Sequence, residues 1–261
     1  MNCTPHPLHL HDLTLGYDGH PAVHHLEGTV DAGQLLAVVG SNGAGKSTLI
    51  KALAGILRPL GGRIDGLKRQ RVAYLPQQAS LERGFPIETA QFAAFGLWHE
   101  TGVFGGFSAA QRQRVHSALD AVGLHGYERQ NIDTLSGGQL QRALFARLML
   151  QDAPIMLLDE PFSAVDQASS DDLLQLLHRW SDEGRTVIAV LHNLQQVREH
   201  FPHTLMLARS VVAWGATADV LTEKNLQRMR TMPAAFDRDA PVCVAPAPEC
   251  SDPQAALRDA A

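Results

Sequence analysis

Gly40-Ser41-Asn42-Gly43-Ala44-Gly45-Lys46-Ser47-Thr48 is the stretch on which the reading of this 261-residue chain turns. Its glycines let the backbone bend tightly, so that successive N–H groups converge on one anion. The apolar run Gln34–Val39 leads into it, and a segment with helical spacing, Lys46 to Leu57, leads out. Strand, glycine-rich loop and helix in that order form a phosphate-binding loop, with the positive end of the helix aimed at the phosphates. Lys46 is then placed to reach the β- and γ-phosphates of a nucleoside triphosphate, and the Ser47 hydroxyl to ligate magnesium.

Working outward, Ile155–Asp159 is a second short apolar run and ends in Leu157-Leu158-Asp159-Glu160-Pro161. An acid at the end of such a strand emerges at the sheet edge that carries the phosphate loop, which makes Asp159 the candidate magnesium ligand. Two adjacent acids repel unless a metal neutralises one, and the remaining carboxylate, Glu160, can then polarise an attacking water. Val187–Leu191 is a further unbroken apolar run, as expected of parallel strands covered on both faces. Leu8–Tyr17 and Arg71–Leu75 also read as strands, and Leu140–Leu150 and Asp171–Trp180 as helices. Between Phe85 and Asn131 the character turns helical, at Gln91–Trp98 and Gln111–Val122, around the glycine-rich Thr101–Phe107. Two short strands, Leu205–Ala208 and Val211–Trp214, and a helix at Thr217–Leu221 follow. From Pro233 onward Pro, Ala and Asp dominate, and disorder is expected.

Composition limits the alternatives. The apolar fraction is 45%, ample for a core, and the net charge is -5 with Lys and Arg scattered, so nucleic acid is not an expected partner. Lys68-Arg69-Gln70-Arg71 is a short basic run that reads as a solvated turn. No apolar stretch approaches the ~20 residues of a membrane span, and no secretion signal is visible, so a cytoplasmic location is expected. Cys3, Cys243 and Cys250 have no paired spacing. Six of the 13 histidines, His6, His9, His11, His20, His24 and His25, gather near the N-terminus. His9 and His11 would share a strand face, but no acidic or cysteine partner completes an evident metal site.

Leu135-Ser136-Gly137-Gly138-Gln139 resembles the defining motif of the ATP-binding cassette (ABC) superfamily, and further motifs of that family stand in order. Tyr17 resembles its adenine-stacking aromatic. Gln77, with Gln78 adjacent, resembles the glutamine that senses magnesium and water. Ser163-Ala164-Val165-Asp166 resembles the loop through which two copies communicate, with Asp166 as its acid, and His192 the switch histidine that contacts the γ-phosphate. Asn193 stands where an acid often follows that histidine, and Val165 where leucine is common. Over Leu8 to Arg230 the resemblance implies an α/β fold: a phosphate-loop, RecA-like ATPase core with an antiparallel β subdomain and an inserted α-helical subdomain. The implied boundaries are a cassette at 8–232, an insert at about 85–140, and a tail at 233–261.

The same resemblance implies ATP and Mg2+ as ligands. Ser136, Gly137 and Gly138 are donors at a helix start, yet cannot easily reach a triphosphate already enclosed by Gly40–Thr48. The family's arrangement is a head-to-tail homodimer, in which the segment Ser136–Gln139 of one copy closes on the ATP of the other. An integral membrane permease at the inner face of the cell membrane is the implied partner, with a substrate-binding protein acting indirectly. Phe92, Phe95 and Trp98 would line either its docking groove or the insert's own core. Tyr74-Leu75-Pro76-Gln77-Gln78, Phe85-Pro86-Ile87, Gly96-Leu97-Trp98 and Leu191-His192-Asn193-Leu194 resemble the branch that imports zinc, manganese and iron. Zinc or manganese is the favoured cargo. A haem, siderophore or other ABC transporter, or a soluble ABC ATPase of iron–sulfur cluster assembly, remains the alternative.

Overall fold

Strand β3 (Leu35–Gly40) is apolar at every position up to its glycine, because both of its faces are covered. It lies between β7 (Thr186–Val190) and β8 (His203–Ala208), and is parallel to both. With β5 (Val72–Leu75), β6 (Ile155–Asp159) and β9 (Ser210–Ala216) they form a six-stranded sheet in the order β5-β6-β7-β3-β8-β9. All its strand pairs are parallel except β8 with β9. The computed structural model describes residues 5–68, 70–77, 86–102, 106–163 and 165–231.

Successive residues along these strands enter two different cores. Leu35, Ala37, Val39, Met156, Leu158, Val187 and Ala189 join one hydrophobic cluster. Leu36, Val38, Ile155, Leu157, Ile188 and Val190 join the other. The second core is closed by helix α1 (Lys46–Leu53) and by an antiparallel sheet of β1 (Leu8–Tyr17), β2 (His20–Val30) and β4 (Gly61–Asp65), in the order β2-β1-β4. The first is closed by helices. In the insert these are α2 (Thr89–Ala94), a 3-10 turn at Phe95–Leu97, α3 (Trp98–Thr101) and α4 (Ala109–Ala121). Then come α5 (Gly137–Gln151) and α6 (Gln167–Asp182), and α2 and α4 both pack on α5. Helices α7 (Leu194–His200), α8 (Thr217–Val220) and α9 (Glu223–Thr231) complete the described residues.

Several expectations change in detail. Helix α1 stops at Leu53 rather than Leu57, because Gly55 takes φ +72 and the N–H groups of Gly55 and Ile56 turn back to the carbonyls of Ala52 and Lys51. The helix expected at Gln91–Trp98 is broken into three short pieces. A Cβ on Gly96 would lie 2.3 Å from the Arg147 carbonyl oxygen, so this turn rests directly on the backbone of α5. Helix α5 itself crosses the expected insert boundary near residue 140 without a break. β2, β4, α7 and α9 have no counterpart in the sequence reading. The expected disorder of 233–261, and the positions Gln78, Phe85 and Ala164, lie outside the described residues.

Candidate functional site

The phosphate loop is shaped by what a side chain would hit. Gly45 precedes α1 with φ +92, and a Cβ there would meet Val23 Cγ2 at 2.3 Å, so only glycine fits. No side chain caps α1, so its first N–H groups face the loop. Lys46 is buried and its ammonium donates to the carbonyls of Gly40 and Ser41, at 3.0 and 2.9 Å, curling the loop over it. Burial holds its pKa below the ordinary lysine value, against the raising effect of Glu160 and Asp159.

Asp159 ends β6 beneath the loop and accepts a hydrogen bond from the Ser47 hydroxyl at 3.0 Å. It is 2% exposed, and burial raises its carboxyl above the usual range; the Ser47 bond opposes this and the Glu160 charge adds to it. Glu160 takes φ +53, a left-handed conformation that costs a non-glycine residue about 1–3 kcal/mol. That turn swings its carboxylate between two side chains. Gln77 Nε2 donates to Oε2 at 2.9 Å, and His192 Nε2 lies 2.6 Å from Oε1. His192 is nearly half exposed, so it is no core histidine.

These groups border a cleft of about 700 Å³ lined by Asn42–Thr48 together with Tyr17, Ala22, Gln77, Glu160 and His192. Tyr17 stands exposed at the end of β1, with the Lys51 ammonium 5.9 Å from its ring centroid. A buried lysine, a run of loop N–H groups, a serine hydroxyl and a buried carboxylate are the donor set that a magnesium triphosphate requires, so the residues present fit that ligand. Ser136, Gly137, Gly138 and Gln139 are not brought to the cleft of their own chain. Ser136 and Gln139 instead form the reciprocal cap of α5, with bonds of 3.2 and 2.9 Å. The exposed Asp166 sits at the start of α6, where its carbonyl accepts the Ser170 N–H at 2.9 Å. An adjoining hollow of about 250 Å³ runs from Glu160 and His192 to Ser163 and Val165.

The departure at Asn193 has a structural use: its side chain caps α7 by accepting the N–H groups of Gln195 and Gln196 at 3.0 and 3.2 Å. The aromatic trio divides. Phe92 is buried beneath the Arg147 guanidinium, whereas Phe95 and Trp98 remain exposed and pack edge-to-face at 5.9 Å. Three supporting residues were not anticipated. Gln141, buried on α5, donates to the Pro161 carbonyl at 2.7 Å, just behind Glu160. Arg209 ties its own N–H to the Ala44 carbonyl at 3.2 Å and its guanidinium to the Pro21 carbonyl at 3.1 Å. The Tyr74 hydroxyl, pushed up to about 12 by burial and then by the charges of Asp159 and Tyr17, stays neutral near Asp159.

Comparison with known proteins agrees with this geometry. The family model described as "ABC transporter" matches residues 23–163. The zinc transport system ATP-binding protein TroB of Treponema pallidum is 35% identical, over 87% of this chain and 88% of its own. The manganese transport system ATP-binding protein MntB of Bacillus subtilis is 35% identical, over 85% and 91%. A solved ABC transporter described as of the metal-chelate type, in an inward-facing conformation, superposes with a TM-score of 0.76 at 30% identity, over 85% of this chain and 88% of that one. A dimeric ATP-binding cassette bound to ADP and phosphate, 22% identical, shares the fold with a TM-score of 0.70. The chain belongs to the ABC transporter family, as one of its ATP-binding and ATP-hydrolysing cassettes.

Proposed function

We propose that this chain is the ATPase subunit of a metal-ion importer, with zinc or manganese as cargo, and that it works as a nucleotide-sandwich homodimer against a separate membrane permease. The cargo class rests on one observation: relatives designated for zinc and manganese transport match more than four fifths of the chain. Among the described residues no helix is long and apolar enough to cross a membrane. The exposed pair Phe95 and Trp98 on the insert is the proposed contact for the permease. A substrate-binding protein would act through that permease, and the site of action is the inner face of the cell membrane.

The residues divide the work. Tyr17 offers a flat ring to adenine. The loop N–H groups and the Lys46 ammonium would hold the phosphates, while Ser47, Asp159 and Gln77 would hold Mg2+, which would supply positive charge against the negative charge developing on the phosphate oxygens. Glu160 accepts a proton from a water whose oxygen attacks the γ-phosphorus; the bond to the bridging oxygen breaks and ADP leaves. Gln77 and His192 fix the carboxylate for that task, and His192 would also contact the γ-phosphate. The Ser136–Gln139 segment completes the site from the partner copy, and Asp166 carries the state of one site to the other.

The decisive experiment is elemental analysis of cells lacking this chain, grown under chelation and restored with the wild type or with Glu160→Gln. A selective fall in zinc or manganese, rescued only by the wild type, is expected. An unchanged metal profile would refute the importer reading and leave the ATPase standing.

A further inference from the structure

Histidine and acid side chains meet at several places on this surface, but among the described residues only one arrangement converges. His11 has Nδ1 3.7 Å from Glu27 and Nε2 3.3 Å from Asp65, on opposite ring nitrogens, so a single ion cannot take both acids and the ring. His25 meets Asp12 at 2.6 Å as a simple pair. At the far end of α4 the case differs. Asp120, His125 and Glu128 place one ligand atom each within 4.8 Å of one another, the one such group of three found among the described residues. His116, one turn before Asp120 on the same helix, has its Nδ1 4.0 Å from Glu128 Oε1.

The backbone builds this convergence. Gly123 takes φ +73 after α4, and the N–H groups of Gly123 and Leu124 close on the carbonyls of Asp120 and Leu119. Leu124 is buried, which brings the next residue back beside the helix it just left, with His125 Nδ1 2.9 Å from Asp120 Oδ1. Gly126, at φ +83, donates its N–H to Glu128 Oε1 at 3.1 Å and so aims that carboxylate inward. The loop is pinned from below, where Ala90 and Thr89 of α2 donate to the Glu128 and Gln130 carbonyls.

We infer that His116, Asp120, His125 and Glu128 form a binding site for a divalent transition metal on the helical insert, separate from the magnesium position at Ser47 and Asp159. Two imidazoles and two carboxylates suit Zn2+, with Mn2+ weaker in the same ligands. Ligand atoms around tetrahedral zinc stand ~3.3 Å apart, so Asp120, His125 and Glu128, already within 4.8 Å of one another, need only small side-chain rotations, and the half-exposed His116, 4.0 Å from Glu128, would swing in as the fourth ligand. An ion there would clamp the turn of α4 to the loop over α2, and α4 and α2 both pack on α5, whose N-terminus carries the Ser136 segment. The site does not depend on the identity of the transported cargo.

The test is a titration of the chelator-stripped full chain with Zn2+ alone, without nucleotide, against a competing zinc indicator. One equivalent per chain is expected, with an accompanying rise in melting temperature. His125→Ala should weaken that equivalent by about 100-fold, and Glu128→Gln should weaken it as well. The double change His9→Ala/His11→Ala should leave it untouched. Melting and ATP hydrolysis of the variants without zinc check that each is folded. Absence of a bound equivalent in the wild type, or its persistence at unchanged affinity in His125→Ala, would overturn the site.

Discussion

Replacing Asp159 by asparagine should stabilise the chain in the absence of nucleotide and magnesium while abolishing its turnover. Asp159 is 2% exposed and receives a hydrogen bond from Ser47, and its carboxyl is raised above the ordinary value chiefly by burial, with the Glu160 charge adding to it. In the unfolded chain the group titrates near 3.8. Between that value and the raised one the folded chain binds more protons than the unfolded, so stability falls as pH rises through this window. Above it the cost of the buried charge is fully present. The amide introduced by Asp159→Asn would carry no charge and could still accept the Ser47 hydrogen bond. A gain of about 1–2 kcal/mol at neutral pH follows, the usual size of a stabilising change at a functional position. For a domain of this size that is a rise of about 2–8 °C in melting temperature. Thermal unfolding in EDTA at pH 7.5 and pH 4 is the assay, and the gain should shrink at pH 4, where wild-type Asp159 is increasingly protonated. An equal or lower melting temperature at pH 7.5, or an undiminished gain at pH 4, would refute the argument.

Other expectations follow from the same geometry. Glu160→Gln should keep ATP affinity, trap the dimer and lower turnover by at least about 100-fold; wild-type turnover would remove Glu160 from the role of base. Lys46→Ala should weaken nucleotide binding itself, and an unchanged dissociation constant in a fluorescent-nucleotide titration would count against its contact with the phosphates. Gly96→Ala should cost about 1–3 kcal/mol, because the new methyl would meet the Arg147 carbonyl oxygen at 2.3 Å; a denaturation midpoint equal to wild type would show that the insert yields there. Gln141→Leu removes the bond to the Pro161 carbonyl and should lower kcat, by up to about 100-fold, with ATP affinity kept; equal losses in binding and kcat would indicate general unfolding instead.

How much of this was legible follows from where each signal lies along the chain. The phosphate loop is contiguous, and its glycines and lysine have few other uses together, so with the apolar run before it and the helical spacing after it, strand, loop and helix could be placed, though not the helix end. The buried strands were equally plain, since sheets covered on both faces leave no polar positions to confuse the pattern. β2 and β4 escaped because they are edge strands of a small sheet: β2 carries three histidines and bulged pairing to β1, and β4 opens with two glycines. At α5 the Ser136 and Gln139 pair carried two meanings at once. Its spacing suits anion binding, yet it is also a reciprocal helix cap, and within one chain the structure uses it as the cap. The same spacing recurs at Ser108 and Gln111, where α4 begins and no phosphate is at issue. A cap alone therefore does not mark a phosphate site, and the glycines between Ser136 and Gln139 carry the distinction.

Glu160 shows the limit most clearly. Its identity as a carboxylate after a strand is written in the sequence, but its usefulness depends on a backbone turn that propensity disfavours. It is a non-glycine residue at φ +53 and stands before Pro161, a position biased toward extended conformations. The cost is offset by contacts from three distant elements. Gln77 follows β5 and bonds one carboxylate oxygen, His192 follows β7 and meets the other, and Gln141 of α5 holds the next carbonyl from below. None of these partners is near Glu160 in sequence, so no local pattern predicts the turn. If the turn serves positioning, Glu160 is the place where strain is tolerated for geometry, and its three supports are where loss of activity should outrun loss of stability.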